Sequence, residues 1–276
     1  MCVILIVQNH CKQMAKPETI TSAANPLLKD VRRAISHGAL TEQGWCVAET
    51  PHLLEEALHS QCEVKTVLAS ESALDGASAH LRSLPLKLVS LPDALFAGIA
   101  GTETTQGVIA LVQPPAWKLE QLFQRPALVV VLDGLQDPGN AGTIVRAAEA
   151  FGATGVVFLK GAVSPYNPKT LRASAGSLFR VPFLHGVDAA VACTALAQHQ
   201  VELFAGVPAG ASSRTLAAVD LARPCGLVIG NEAHGVSRGL RAAAHDVSIP
   251  TVGVESLNAA MAASILLYEA RRQRML

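Results

Sequence analysis

Residues 128–159 read LVVVLDGLQDPGNAGTIVRAAEAFGATGVVFL, and this stretch decides the fold class. Leu128 to Leu132 is an apolar, largely β-branched run of the kind buried on both faces of a sheet. It stops at Asp133-Gly134, and Asp137-Pro138-Gly139-Asn140 then forms a dense turn signal. Asn140 is a suitable N-cap, and Ile144, Val145, Ala148 and Phe151 follow at helical spacing. Gly152 ends the helix, and Gly155 leads into a second apolar run, Val156 to Leu159. A strand, a polar glycine-rich loop, a helix and a strand make a βαβ unit, whose parallel strands need such a crossover. Ligands on open α/β sheets collect beyond the carboxyl ends of strands, where this loop lies.

Outward from this unit the βα alternation runs to the end of the chain. Further strand candidates are Glu202–Gly206, Gly226–Ile229 and Val247–Ile249. A last helix begins near Leu257 and runs through Tyr268 to a basic tip of Arg271, Arg272 and Arg274, where cations suit a helix C-terminus. Upstream, residues 113–126 (QPPAWKLEQLFQRP) carry three prolines and read as a linker. Residues 19–112 read as a small α/β domain. Its expected strands are Trp45–Ala48, Val64–Ala69, Lys87–Ser90 and Gly107–Val112, with helices before Ile35, from Pro51 through Leu58, and at Leu74–Leu84. Residues 1–18 are expected to be a weakly ordered extension, with Met14 open as an alternative start. The C-terminal domain is residues 127–276.

Half of the 276 residues are hydrophobic and only 4% aromatic, so the core is aliphatic and alanine-rich, which suits α/β packing. A formal net charge of zero removes the easiest argument for a nucleic-acid partner. The distribution says more: residues 20–112 hold six Lys/Arg against ten Asp/Glu, and residues 113–276 hold fourteen against eleven. No acid occurs from Ala150 to Val187, whereas Lys160, Lys169, Arg172 and Arg180 do. Six scattered cysteines show no CxxC or Cys/His ligand spacing, so no metal site is expected and free thiols in a reducing cytoplasm are. Val3 to Val7 is too short for a membrane span and no basic region precedes it, so neither export signal nor membrane anchor is expected.

Three segments carry candidate chemistry. In Asn140-Ala-Gly142-Thr-Ile-Val-Arg146-Ala-Ala148, a guanidinium near a glycine-rich loop suits bidentate capture of phosphate. The competing reading is a surface Arg146 paired with Glu149. In Gly230-Asn231-Glu232-Ala-His-Gly235-Val-Ser237, a glycine at a strand end would let backbone approach a ligand, and Glu232 follows it. In Ile249-Pro250 through Ser256-Leu257-Asn258, an irregular loop leads to a helix whose start Ser256 could cap. No GxGxxG and no P-loop follow a strand, which disfavours a nicotinamide-dependent oxidoreductase.

In this order, N-x-G-x-x-x-R-x-A, G-N-E-x-x-G-V-S and I-P…S-L-N resemble the SpoU, or TrmH-like, RNA 2′-O-ribose methyltransferases over residues 127–276. The resemblance implies a SPOUT-like parallel sheet with a deep trefoil knot, bound S-adenosylmethionine and a homodimer. It implies cofactor contacts at Ala205, Gly206, Gly230, Ile249 and Leu257, and a reacting ribose surrounded by Asn140, Arg146, Glu232, Ser256 and Asn258. It makes residues 19–112 an RNA substrate-binding domain, with one departure: Ala48-Glu49-Thr50 stands where an acid followed by glycine is usual. With RNA as substrate, Lys160, Lys169, Arg172 and Arg180 of the acid-free run are the expected RNA contacts. The family's arginine has been cast as a base. A phosphate clamp asks less of Arg146, because arginine stays protonated. The two-domain layout tilts the expected substrate to ribosomal RNA over transfer RNA, and an inactive RNA-binding module is the rival reading.

Overall fold

A computed structural model describes residues 17–76, 86–102, 104–124, 126–210 and 213–275. The expected extension before residue 17, with Met14, and the distal part of the helix expected at Leu74–Leu84 lie outside the described residues. The first half contains β1 (Glu18–Thr19), α1 (Pro26–His37), β2 (Cys46–Glu49), α2 (Pro51–His59), β3 (Val64–Ser70), α3 (Glu71–Gly76), β4 (Leu88–Leu91), α4 (Asp93–Ala97) and β5 (Val108–Val112). Its strands form a mixed sheet in the order β1-β4-β3-β5-β2, with β5 antiparallel to both neighbours.

The second half contains β6 (Leu128–Asp133), α5 (Pro138–Ala150), β7 (Gly155–Leu159), α6 (Pro168–Ser174), β8 (Phe183–Val187), α7 (Ala189–Gln198), β9 (Glu202–Gly206), β10 (Arg214–Thr215), β11 (Cys225–Gly230), α8 (Arg238–Ala242), β12 (His245–Ser248) and α9 (Ala259–Arg274). These strands form the expected parallel sheet, in the order β10-β12-β9-β11-β6-β7-β8. β6 and β11 lie side by side near its middle, so their C-terminal loops emerge together.

Strand alternation sorts the cores. Leu128, Val130 and Leu132 of β6 enter a core shared with α5, α9 and the first half's β2 and β5, whereas Val129 and Val131 enter the opposite core, with α7 and α8. In β5, Val108, Ala110 and Val112 join that shared core, and Ile109 and Leu111 pack under α1. One apolar core therefore runs between the two sheets. Between the two halves, the described residues of 113–126 pack on the second sheet. They contain a 3₁₀ turn, Leu119–Phe123, whose Leu122 is fully buried and whose carbonyl accepts from Thr154 Oγ1 at 2.6 Å.

Ion pairs reinforce this junction, and three of the four residues expected to contact RNA take part in such pairs. Arg172 Nη1 donates to Glu49 Oε2, while Glu49 Oε1 accepts from the Gly101 backbone at 2.6 Å. Arg180 Nη1 donates to Glu56 Oε2 at 2.6 Å and to Ser60 Oγ at 3.1 Å, and Arg180 Nη2 donates to Glu149 Oε2 at 3.1 Å. The hydrogen bond from Arg180, ahead of its charge, holds the Glu149 carboxyl below its usual range. Lys160 pairs with Asp188 at 2.6 Å, and Lys169 alone of the four expected RNA contacts is exposed without an ion pair among the described residues. The acid-free run lacks acids of its own because its arginines meet acids supplied by α5 and by the first half of the chain.

Glu49 is only 4% exposed, so removing its partner strands a buried carboxylate. Arg172→Ala is expected to destabilise the protein by about 3 kcal/mol in a urea titration. A loss under about 1 kcal/mol would place this pair with ordinary surface pairs.

Candidate active site

Six residues of β6 and β11 pair in register, from Leu128 with Cys225 to Asp133 with Gly230. Both strands end at the same level, which sets residues 134–140 against residues 231–237. Asn231 ties the second loop down: its Nδ2 donates to the Gly134 carbonyl at 2.8 Å, and its Oδ1 accepts from the Ala233 and His234 backbones at 2.9 and 3.1 Å. The Asn231 and Gly235 backbones bridge each other, and Asp133 Oδ2 accepts from Ser237 N at 2.6 Å.

The helix after β6 begins earlier than expected. Its N-cap is Asp137, whose Oδ1 accepts from Asn140 N at 2.6 Å, and Pro138 occupies the first helical position. Asn140 therefore lies inside the first turn with its side chain free. Asn140 Nδ2 donates to Glu232 Oε1 at 3.2 Å, and Asn140 Oδ1 accepts from Asn258 Nδ2 at 3.0 Å. Asn258, rather than Ser256, caps the last helix: its Oδ1 accepts from Ala260 N and Met261 N at 2.9 and 3.2 Å. Three segments far apart in sequence thus meet in one chain of hydrogen bonds, Asn258 to Asn140 to Glu232.

Glu232 also accepts from the backbones of Gln136 and Asp137, each at 3.3 Å. Burial by itself would raise its pKa. Its own backbone N–H, the Asn140 amide and the N–H groups of Gln136 and Asp137 outweigh that and hold the carboxyl below its usual range. Glu232 is accordingly an anion at neutral pH.

A cleft of about 700 Å³ opens beside this chain, over the ends of β9, β11 and β12. Gly206, Gly230, Ile249 and Leu257 line it as expected, together with Ile229, Val247 and Leu266, and Glu232, Ser256 and Asn258 stand at its polar side. Ala205 does not reach it, being fully buried in the core on the other face. Arg146 is exposed on α5, does not line the cleft and has no ion pair among the described residues. Its competing partner Glu149 is held by Arg180. Gly230 has a different reason from the one expected: a Cβ there would collide with the backbone of Gly235 and Val236, so the glycine closes the Asn231 loop on itself. Gly142 likewise lets α6 approach α5, since a Cβ would meet Thr170 O and Ala173 Cβ. Asn231, Asp133, Gln136 and Asp137 were not among the expected site residues. The Asp137-Pro138 pair was the available signal for the cap.

A parallel sheet with an apolar cleft at its strand ends, walled on one side by a hydrogen-bonded carboxylate, defines an α/β enzyme for a drug-sized, partly apolar cofactor. The family is identifiable as well. Residues 127–268 match the SpoU rRNA Methylase family and residues 25–110 match the MRM3-like substrate binding domain. The 23S rRNA (guanosine(2553)-2′-O)-methyltransferase RlmP of Bacillus subtilis is 30% identical over 91% of this chain and 98% of its own length. An uncharacterised tRNA/rRNA methyltransferase of Synechocystis is 34% identical over 93% of this chain and 94% of its own. The SpoU methyltransferase AviRb from Streptomyces viridochromogenes, solved in complex with AdoMet, superposes with a TM-score of 0.80 at 27% identity, covering 91% of this chain and 98% of that one. The chain belongs to the SpoU rRNA methylase family.

Two glycines of the cleft should behave differently. At Gly206 a Cβ would meet Leu266 Cδ1 at 3.3 Å, Val228 O at 3.6 Å and Ile229 Cδ1 at 3.9 Å, with no backbone collision such as Gly230 has, so Gly206→Leu should fold and fill the cleft floor. Isothermal calorimetry should then find no S-adenosylmethionine binding, with a near-native melting temperature. Gly230→Ala should lower the melting temperature along with affinity. Native affinity in the Gly206→Leu protein would contradict this placement.

Proposed function

We propose that the protein transfers a methyl group from S-adenosylmethionine to a ribose 2′-oxygen of ribosomal RNA. The observation that carries this is the Asn258–Asn140–Glu232 chain standing at the polar side of an apolar cleft of cofactor size. The name of RlmP, a 23S rRNA (guanosine(2553)-2′-O)-methyltransferase, supports the substrate class. When bound, the cofactor supplies an electrophilic sulfonium methyl. Ile229, Val247, Ile249, Leu257 and Leu266 would hold its apolar parts, and the backbone at Gly206 and Gly230 its polar edges.

The residues of the chain align the nucleophile. The anionic Glu232 accepts and cannot donate at neutral pH, and Asn258 Oδ1 is already committed to its helix cap. The amide of Asn140 therefore has one orientation only, oxygen toward Asn258 and nitrogen toward Glu232. Its second N–H and second lone pair remain to position a ribose hydroxyl. The group that tells RNA from DNA is that same 2′-hydroxyl. Arg146, exposed and unpaired, acts as a phosphate clamp instead of a base. The first half, residues 19–112, serves as the RNA substrate-binding domain.

The same reading makes the C-terminal part a deep trefoil knot and the protein a homodimer. The place of β12 between β9 and β10, both earlier in the chain, supports the first. The second rests on α9, which exposes Met261, Ile265 and Tyr268 at i, i+4 and i+7, an apolar stripe beside the buried Ala260, Ala263 and Leu267.

Methyl incorporation from labelled S-adenosylmethionine into rRNA of a strain lacking the protein tests the activity, and absence of 2′-O-methylation would overturn it. In that assay Arg146→Ala should lower turnover on the order of a hundredfold, as for one preorganised electrostatic donor, with cofactor affinity unchanged. Arg146→Lys should not rescue, because an ammonium cannot hold two oxygens in one plane. Near-native turnover in the lysine protein would defeat the clamp. Sedimentation should show a dimer at micromolar concentration and a monomer for Ile265→Asp; a native monomer would refute the α9 interface.

A further inference from the structure

We propose that the exposed face of α1, continued by Lys169, is the surface on which RNA phosphates lie on their way to the cleft. This inference rests on the RNA methyltransferase reading and adds the place where the substrate binds outside the catalytic rim. It begins from a deficit. Arg172 and Arg180 face Glu49, Glu56 and Glu149, and Lys160 faces Asp188, so among the described residues Lys169 is the one cation of the acid-free run without an ion pair.

The first half of the chain is acidic by count, but its described cations are not evenly placed. Lys65 pairs with Glu63 at 2.5 Å and Lys87 with Glu18 at 3.3 Å. The others, Lys29, Arg32 and Arg33, all stand on the solvent side of α1, one turn apart, with His37 at its end. The opposite side of the same helix, Leu28, Val31 and Ala34, is buried in the core. The helix has a single acid, Asp30, and it is turned inward. It is 8% exposed, receives the Glu42 backbone N–H at 2.9 Å, and holds Arg33 at 2.6 Å. Among the described residues Lys29 and Arg32 have no ion pair, whereas Arg33 is held by Asp30.

The direction of that face matters. α1 is twelve residues, about 18 Å along its axis. It ends at Gly38, where a Cβ would lie 2.8 Å from Asn167 Nδ2. Asn167 caps α6, accepting from Lys169 N at 2.9 Å, so the C-terminal end of α1 abuts the segment that carries Lys169. The loop before it reaches the catalytic rim, because Gln136 Nε2 donates to the Gly161 carbonyl and Gln136 N donates to Glu232. Lys29, Arg32 and Lys169 thus mark a line from the first half of the chain toward the Asn140–Glu232 pair. A polyanion fits such a line. A small anion would need convergent donors, and these cations are spread along a helix.

The test is the salt dependence of binding of a short fluorescent single-stranded oligouridylate, with methyl transfer to rRNA measured beside it. In Lys29→Ala/Arg32→Ala/Lys169→Ala, the slope of log K against log salt should shrink by about two units, as expected for three lost contacts to a single strand. KM for rRNA should rise at least tenfold, while kcat, S-adenosylmethionine affinity and melting temperature stay near native values. Lys87→Ala, which removes a cation of the same half that is already paired, should leave slope and KM unchanged. A triple variant with native slope and KM would overturn the proposal while leaving the methyltransferase reading standing. A slope lowered as much by Lys87→Ala would also overturn it, since any positive charge would then do. A native protein that binds S-adenosylmethionine but neither binds nor methylates RNA would end both readings together.

Discussion

The in-register pairing of β6 with β11 is the constraint on which the site depends. It ends two strands at one level, Asp133 beside Gly230, although about a hundred residues separate them. Everything polar at the rim follows from that coincidence. Asn231 can reach Gly134, Ser237 can reach Asp133, and Glu232 can receive the N–H groups of Gln136 and Asp137. A shift of one residue in this register would turn every side chain of β11 to the other face and carry Glu232 away from Asn140. The fully apolar strands, buried on both sides, resist such a shift because both cores would lose their contacts at once.

Each rim group also has a structural task that fixes its chemistry. Asn258 starts α9 and donates to Asn140 with the atom left over. Glu232 closes the turn before α5 and thereby stays ionised, because protonation would forfeit acceptors for several donors. A carboxylate held this way is a weaker base than a free one. It serves better to orient an amide than to remove a proton from a poorly acidic hydroxyl. The cleft has two characters: Ile229, Val247, Ile249, Leu257 and Leu266 give it an aliphatic wall, and Glu232, Ser256 and Asn258 a polar one.

The strongly apolar strands β6, β7, β9 and β11 and the parallel class were legible in the sequence, because buried runs bounded by glycine leave little choice. β8 was not: Phe183-Leu-His-Gly-Val187 is an edge strand with a half-exposed middle and reads as loop. Helix starts were misplaced wherever two capping residues compete. Asp137 outranks Asn140 because Pro138 follows it, and Asn258 takes the place expected for Ser256. Four of the five expected cofactor positions line the cleft, and Ala205 misses it because strand residues alternate in facing. The basic run was legible as a run, but the partners of its cations were not. A count along the chain cannot show that Glu49 and Glu56 lie against Arg172 and Arg180.

The departure at Glu49-Thr50 is explained by that same junction. Thr50 has φ 128° and ψ 149°, a region that is otherwise nearly reserved for glycine, and the following Pro51 restricts it further. Such a conformation costs roughly 1–3 kcal/mol and persists only where the surroundings over-determine it. Here they do. The preceding carboxylate is fixed by Gly101 N and Arg172, the Thr50 N–H donates to Val108 O at 3.1 Å, and α2 must begin at once. Threonine offsets part of the cost by capping α2, its Oγ1 accepting from Leu53 N at 3.2 Å. The chain tolerates a strained residue at this point because the buried Glu49–Arg172 pair dictates its direction. A junction held that firmly keeps the basic face of α1 in a constant relation to the catalytic rim.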